Sequence, residues 1–169
     1  QGNAVDFGDQ TGVLEGGGTC ASSTRGVLAG GGNIQRMDYV TIMTTGDAKD
    51  FGDLSATVTS GTGLSNSTRG VFKLGFQSGF TNALEYITIA TLGNSTDFGD
   101  ALNVNSSLAM GASPTRGIIA GGASPTSPYP RVNVIQKIEI LTTGDAIDFG
   151  DLSFASSHPA GLTNGHGGL

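Results

Sequence analysis

Carboxylates offer the first candidate chemistry. The tetrapeptide Asp-Phe-Gly-Asp stands at Asp6–Asp9, Asp50–Asp53, Asp97–Asp100 and Asp148–Asp151, and these copies hold eight of the fourteen acidic residues. An Asp-Phe-Gly triplet can hold magnesium for phosphoryl transfer, but only beside a catalytic loop, a Gly-rich phosphate loop and a strand lysine. None of these accompanies it, and such a site needs one copy rather than four. Asp47, Asp50 and Asp53 recur at three-residue spacing, as do Asp145, Asp148 and Asp151. Calcium takes several carboxylate and carbonyl oxygens, so each turn could offer it ligands. However, the other copies carry Ala4 and Asn94 at the first position, and residues three apart on a strand face opposite sides. The expectation is no metal and no cofactor, with calcium as the alternative and Asp side chains accepting turn hydrogen bonds. His158 and His166 lack partners at metal-site spacing, Cys20 is the only cysteine, and no Ser sits in Gly-x-Ser-x-Gly. The chain is therefore not expected to be an enzyme.

Cations recur as regularly as the acids. Nineteen residues after the first Asp of the first three copies come Arg25, Arg69 and Arg116, each within Thr-Arg-Gly and followed by an apolar pair. An Arg beside a buried strand must be matched. Each is expected to make a forked bond to an Asp of a neighbouring repeat or to free carbonyls. A row of surface Arg binding an anionic glycan is the functional alternative. The Pro-rich stretch 123–131 reads as an exposed loop, the usual place for a repeat protein to vary its contacts. Tyr129 and Arg131 are its candidate binding residues.

The elements that position these residues follow from the repeat. The Asp-Phe-Gly-Asp copies are spaced by 44, 47 and 51 residues. Between them, Val40/Ile42, Ile87/Ile89 and Ile138/Ile140 alternate with Thr41, Thr88 and Glu139, the period of a half-buried strand. Gly46-Asp47, Gly93-Asn94 and Gly144-Asp145 suit tight turns. The segment Val27–Gly31 reads as a further strand, and Asp-Phe-Gly-Asp-Leu as the returning arm of a hairpin that buries its Phe. A weaker fourth strand is expected before each Thr-Arg-Gly. Composition agrees, because 29 Gly in 169 residues disfavour helices and suit short strands and turns. The fold class is all-β, with short antiparallel strands in repeated units. One repeat domain is expected over 1–169, with a partial copy at 1–22, copies at 23–66, 67–112 and 113–163, and a degenerate cap at 164–169. In that cap His166 and Gly167 replace Thr and Arg. The start Gln1-Gly2-Asn3 suggests part of a longer or processed chain.

The order of apolar pair, Gly-Gly, Tyr-bearing strand, polar turn and returning aromatic resembles the kelch repeat of β-propellers. Phe7, Phe51, Phe98 and Phe149 stand where kelch repeats usually carry Trp, and Tyr39 and Tyr86 stand near the kelch Tyr. The wording Ser-Thr-Arg-Gly-Val-Phe, with Thr-Thr-Gly-Asp-Ala-x-Asp-Phe-Gly-Asp-Leu, is similar to repeats of virion and tail-fibre proteins of marine bacteriophages, as is the end Asn164–Leu169. The resemblance implies propeller blades and a place in a virion or another extracellular assembly; against it, three strand sets fall short of the roughly four to eight blades of a closed ring, so a ring closed by this chain alone is not expected. Further blades upstream, association of several chains, or an open stack would each accommodate three strand sets.

The functional expectation is a non-enzymatic virion structural or tail-fibre-type protein whose loops serve host attachment or virion assembly. Its expected partners are other virion proteins, copies of itself or a host-surface glycan. A secreted carbohydrate-binding propeller unrelated to a virus is the alternative. The net charge of −6 argues against nucleic acid and anionic membranes, and no apolar run approaches the roughly 20 residues that span a bilayer.

Overall fold

The structure, a computed structural model, describes residues 2–75 and 79–161. It is all-β, with twelve strands and no helix among the described residues. The first sheet contains β1 (Gly18–Ala21), β2 (Arg25–Gly31), β3 (Ile34–Thr41) and β4 (Lys49–Val58). The second contains β5 (Thr62–Ser65), β6 (Arg69–Lys73), β7 (Ala83–Thr88) and β8 (Thr96–Asp100). The third contains β9 (Ala109–Ala112), β10 (Arg116–Ala120), β11 (Val134–Glu139) and β12 (Ile147–Asp151). In each sheet the strands pair antiparallel in chain order, as short connections between sequential strands favour. The strand expected before each Thr-Arg-Gly is β1, β5 and β9.

The registers coincide from sheet to sheet. Arg25 pairs with Thr41, Arg69 with Thr88 and Arg116 with Glu139. A bulge then falls at one place in all three sheets. Asp38 faces Asp50 while Met37 faces Gly52, so Phe51 is the extra residue. Phe98 and Phe149 are extra in the same way in the other sheets. This accounts for the tetrapeptide, since a bulge needs a residue outside the ladder and a backbone free to bend sharply after it. Gly52, Gly99 and Gly150 supply the bend at φ of 140°, 134° and 144°, which L side chains resist.

The core lies between sheets. Val27, Met37 and Phe51 of the first sheet pack with Phe72, Ile87 and Ile89 of the second. Leu64, Val71, Leu84 and Phe98 of the second pack with Ile119, Ile138 and Ile140 of the third. Strand β5 lies beside both β1 and β9, and Ser65 Oγ ties β5 to β1 through the backbone N and O of Ala21 at 3.1 and 2.8 Å. Close approach of β5 to β1 needs glycine, because a side chain at Gly63 would overlap the Thr19 carbonyl and one at Gly18 would crowd Thr62.

The expected burial of all four Phe requires correction. Phe51 and Phe98 are each 2% exposed, but Phe7 is 38% and Phe149 52% exposed. The bulged Phe is buried only where the next sheet covers it. Nothing described covers Phe149, and Phe7 lies in an extended segment that belongs to no sheet. His166 and Gly167, placed in the cap at 164–169, lie outside the described residues.

Candidate functional site

The repeated residues converge on the boundaries between sheets. The turn before each Arg is closed by a side chain three positions earlier. Ser22 Oγ, Asn66 Oδ1 and Ser113 Oγ accept from the backbone N of Arg25, Arg69 and Arg116 at 3.2, 2.8 and 3.0 Å. With its stem so fixed, Arg25 Nη1 donates to the carbonyl of Ile89 at 2.7 Å, and Arg69 Nη1 to that of Ile140 at 2.9 Å. Both acceptors belong to the next sheet. Carbonyls, rather than an Asp, therefore receive these cations. Each guanidinium also lies over a tyrosine ring, Arg25 at 4.4 Å from Tyr39 and Arg69 at 4.3 Å from Tyr86, a favourable cation–π arrangement. Those rings stand edge-on to Phe51 and Phe98.

Arg116 differs. Lys137 occupies the place of the tyrosine, Phe149 is its nearest ring at 5.8 Å, and Glu139 is its ion-pair partner at 3.8 Å. Both members of that pair are about half exposed, so it contributes little.

The tetrapeptide forms the rest of the boundary. The carbonyls of Phe7, Phe51 and Phe98 accept from the backbone N of Gly46, Gly93 and Gly144 at 2.8, 2.8 and 2.7 Å. The backbone N of Asp9, Asp53 and Asp100 donates to Asp47 Oδ1, Asn94 Oδ1 and Asp145 Oδ1 at 3.0, 3.0 and 2.9 Å. The carbonyls of the same three Asp accept from Ala48, Ser95 and Ala146. Asp47 and Asp145 thus bind the neighbouring tetrapeptide rather than their own turn. No group of three or more His, Cys, Asp or Glu among the described residues is placed to hold a metal. Asp50, Asp97 and Asp148 face Asp38, Glu85 and Gln136 in register and are exposed. Asp6 accepts from Gly8 N, and Asp151 pairs in register with Val134.

A further polar position escaped the sequence reading. Asp38, Glu85 and Gln136 are 0%, 4% and 1% exposed, and each is met by the residue two places beyond a tetrapeptide. Thr11 Oγ1 donates to Asp38 at 2.6 Å, Ser55 donates to Glu85 through N and Oγ, and Leu102 N donates to Gln136 at 2.6 Å. Buried polar groups require such partners.

Lys73 is the other buried polar side chain of note, at 1% exposure. Its Nζ donates to the carbonyls of Leu74, Thr81 and Asn105 at 3.0, 2.5 and 3.1 Å, which uses all three ammonium protons. Burial pushes its pKa down to about 8, partly opposed by the charge of Asp100. Its contacts tie the 74–82 and 101–108 connections together. Cys20 is a free, buried thiol that burial pushes up to about 12, as for an inert core cysteine.

The connections between the second and third strands of the sheets differ in length. They comprise 32–33, 74–82 and 121–133. The last is ordered by its own backbone, with Ser124 N donating to Pro130 O at 2.9 Å, Tyr129 N to Thr126 O at 2.7 Å and Val132 N to Gly122 O at 3.0 Å. Tyr129 and Arg131 are both exposed on it. His158 lies near its base, with its backbone N on Ser107 O at 2.7 Å. No protein-family model matches the chain, and no curated protein matches it either.

Proposed function

We propose that this chain is a non-enzymatic run of kelch-like β-propeller blades, and that it serves as a virion structural or tail-fibre-type scaffold. Its uneven loops would meet a host-surface glycan or another virion protein. The blade reading is supported by the core between the sheets and by the way β1, β5 and β9 lie side by side, as the inner strands of a propeller do. One contrast carries the functional reading. Arg25, Arg69 and the side chains of Asp47, Asn94 and Asp145 are engaged in bonds across the repeat boundaries, whereas the connections at 32–33, 74–82 and 121–133 differ in length. A uniform framework beneath unequal loops is how repeat proteins separate stability from recognition.

The test has two arms. Mass spectrometry of purified particles should find the chain in a virion, and its absence from all particles would overturn the virion reading. A glycan array should show binding that is lost when 123–131 is replaced by a Gly-Asn turn. Binding that survives this replacement would remove the loop from the proposal. A glycan signal without any particle association would favour the secreted glycan-binding propeller.

A further inference from the structure

Each internal sheet boundary joins two complementary halves, and among the described residues one half of each kind has no sheet against it. One unmatched half lies on the third sheet. Phe149 is 52% exposed where Phe51 and Phe98 are 2%. A Cβ at Gly150 would meet nothing within 4 Å, whereas one at Gly52 or Gly99 would overlap the backbone of Gly93 or Gly144. Arg116 points no guanidinium proton at a described carbonyl, and beside it runs a groove of about 680 Å³ that Phe149 and Ile118 help to line. The other half lies on the first sheet. Ile42 is 43% exposed, while its counterparts Ile89 and Ile140 are 1% and 0%. The three are equivalent because their backbone N atoms donate to Thr24, Thr68 and Thr115 in turn.

We infer that the open face of the third sheet docks the first sheet of a second copy of this chain, with β12 of one copy replacing residues 6–9 on the turn of the other. The internal boundaries are the template. The turn of the third sheet that receives Asp97–Asp100 reads Thr142-Thr143-Gly144-Asp145-Ala146, and the turn of the first sheet repeats it as Thr44-Thr45-Gly46-Asp47-Ala48. The incoming Asp148–Asp151 is the same tetrapeptide as the Asp6–Asp9 it displaces. Hydrogen bonds are therefore exchanged like for like: the Phe149 carbonyl takes Gly46 N, Asp151 N takes Asp47, and Ser153 takes Asp38. Two gains are new. Arg116 reaches the carbonyl of Ile42, and the apolar surface of Phe149, Ile118 and Ile42 leaves water, the term that favours association.

Such an interface is heterologous, so it leads either to a ring or to a filament. Two copies carry twice the three sheets of one chain, within the roughly four to eight blades of closed propellers. The inference stands on the boundaries alone, so the loss of glycan or virion association would leave it untouched.

Sedimentation of the chain over a concentration series tests it. The wild type should associate with rising concentration, while Phe149→Glu and Ile42→Glu should each remain monomeric alone. Mixed, the two should form a one-to-one complex, because one retains an intact first-sheet half and the other an intact third-sheet half. Both sites are exposed, and melting curves check that the variants fold. Arg116→Glu replaces Phe149→Glu if that variant does not. A wild type that stays monomeric, variants that associate like the wild type, or a mixture that stays monomeric would each overturn the inference. So would a monomer whose 147–151 amides resist hydrogen exchange, since its own residues would then cover the face.

Discussion

Arg69 and Ile140 join two sheets through a single bond, the guanidinium Nη1 lying 2.9 Å from the carbonyl oxygen. Arg25 and Ile89 repeat it at 2.7 Å. The cation is held from both sides, by the tyrosine ring beneath it and by a carbonyl across the boundary.

Removing this cation should cost stability only where the boundary is closed. Arg25→Ala and Arg69→Ala should each lower stability by about 2–3 kcal/mol, the sum of a charged hydrogen bond and a cation–π contact. Arg69→Lys should recover part of the loss, since an ammonium lacks the planar face that stacks on Tyr86. Arg116→Ala should change stability by less than about 0.5 kcal/mol, as for other exposed ion pairs. Urea denaturation of the four variants checks the order. Equal losses at all three Arg would show that the carbonyl bonds do not matter.

The bulge glycines should separate backbone strain from packing. Gly52 and Gly150 share nearly the same φ, 140° and 144°, but only Gly52 has a neighbouring backbone against it. Both Ala variants carry the cost of a left-handed residue, on the order of 1–3 kcal/mol. Gly52→Ala should cost a further 1–3 kcal/mol or so from overlap with the turn at Gly93. Chemical denaturation of the two variants, measured at a concentration where the chain is monomeric, gives the difference directly.

The strands, their turns and the repeated Arg were legible because apolar alternation and recurring identities mark them. The choice between an Asp and free carbonyls as the partner of the Arg was not, because the carbonyls of Ile89 and Ile140 carry no side-chain signature. Asp38, Glu85 and Gln136 share one role with three residue types, so a search for identity passes over them. Ser22, Asn66 and Ser113 escape for the same reason. The tetrapeptide reads the same in all four copies, yet Phe7 and Phe149 are exposed. Burial there depends on which sheet lies alongside, which is tertiary information. The host, glycan and particle readings rest on resemblance and on loop variation.

Stability should respond to alkaline pH through two buried groups of opposite sign. Lys73 is pushed down from 10.5 to about 8, so between those values the unfolded chain holds a proton that the folded chain has released. Stability therefore rises with pH across that window, at up to about 1.4 kcal/mol per pH unit. Cys20 is pushed up from 9.0 to about 12, so above pH 9 the folded thiol keeps a proton that the unfolded one loses, and stability falls. The contribution of the pair should climb from pH 8 to 9 and then level off. Lys73→Met should abolish the climb, and Cys20→Ala should let it continue toward pH 10. Urea midpoints from pH 7.5 to 10 for the three proteins check this, and a wild-type slope at pH 8–9 that matches Lys73→Met would refute it.

Tyr129 occupies a backbone conformation that a tyrosine tolerates poorly, with φ at 60°, while its side chain is 57% exposed. Packing does not repay that strain, so contact with a partner is the reason for the residue that fits the proposed function. Tyr129→Gly relieves the strain, worth on the order of 1 kcal/mol, while glycine costs about 0.5–1 kcal/mol in chain entropy. Thermal stability should therefore be nearly unchanged or slightly raised. Tyr129→Ala keeps the strain and should change stability by less than about 0.5 kcal/mol, as for an ordinary surface substitution. If the loop binds a glycan, both variants should lose most of the binding, because an exposed aromatic provides much of the area such a ligand covers. Arg131→Ala should act in the same direction. Melting curves read beside glycan-array signals separate the two effects. A large fall in melting temperature in either Tyr129 variant would make the residue a structural one and remove it from the proposed contact surface.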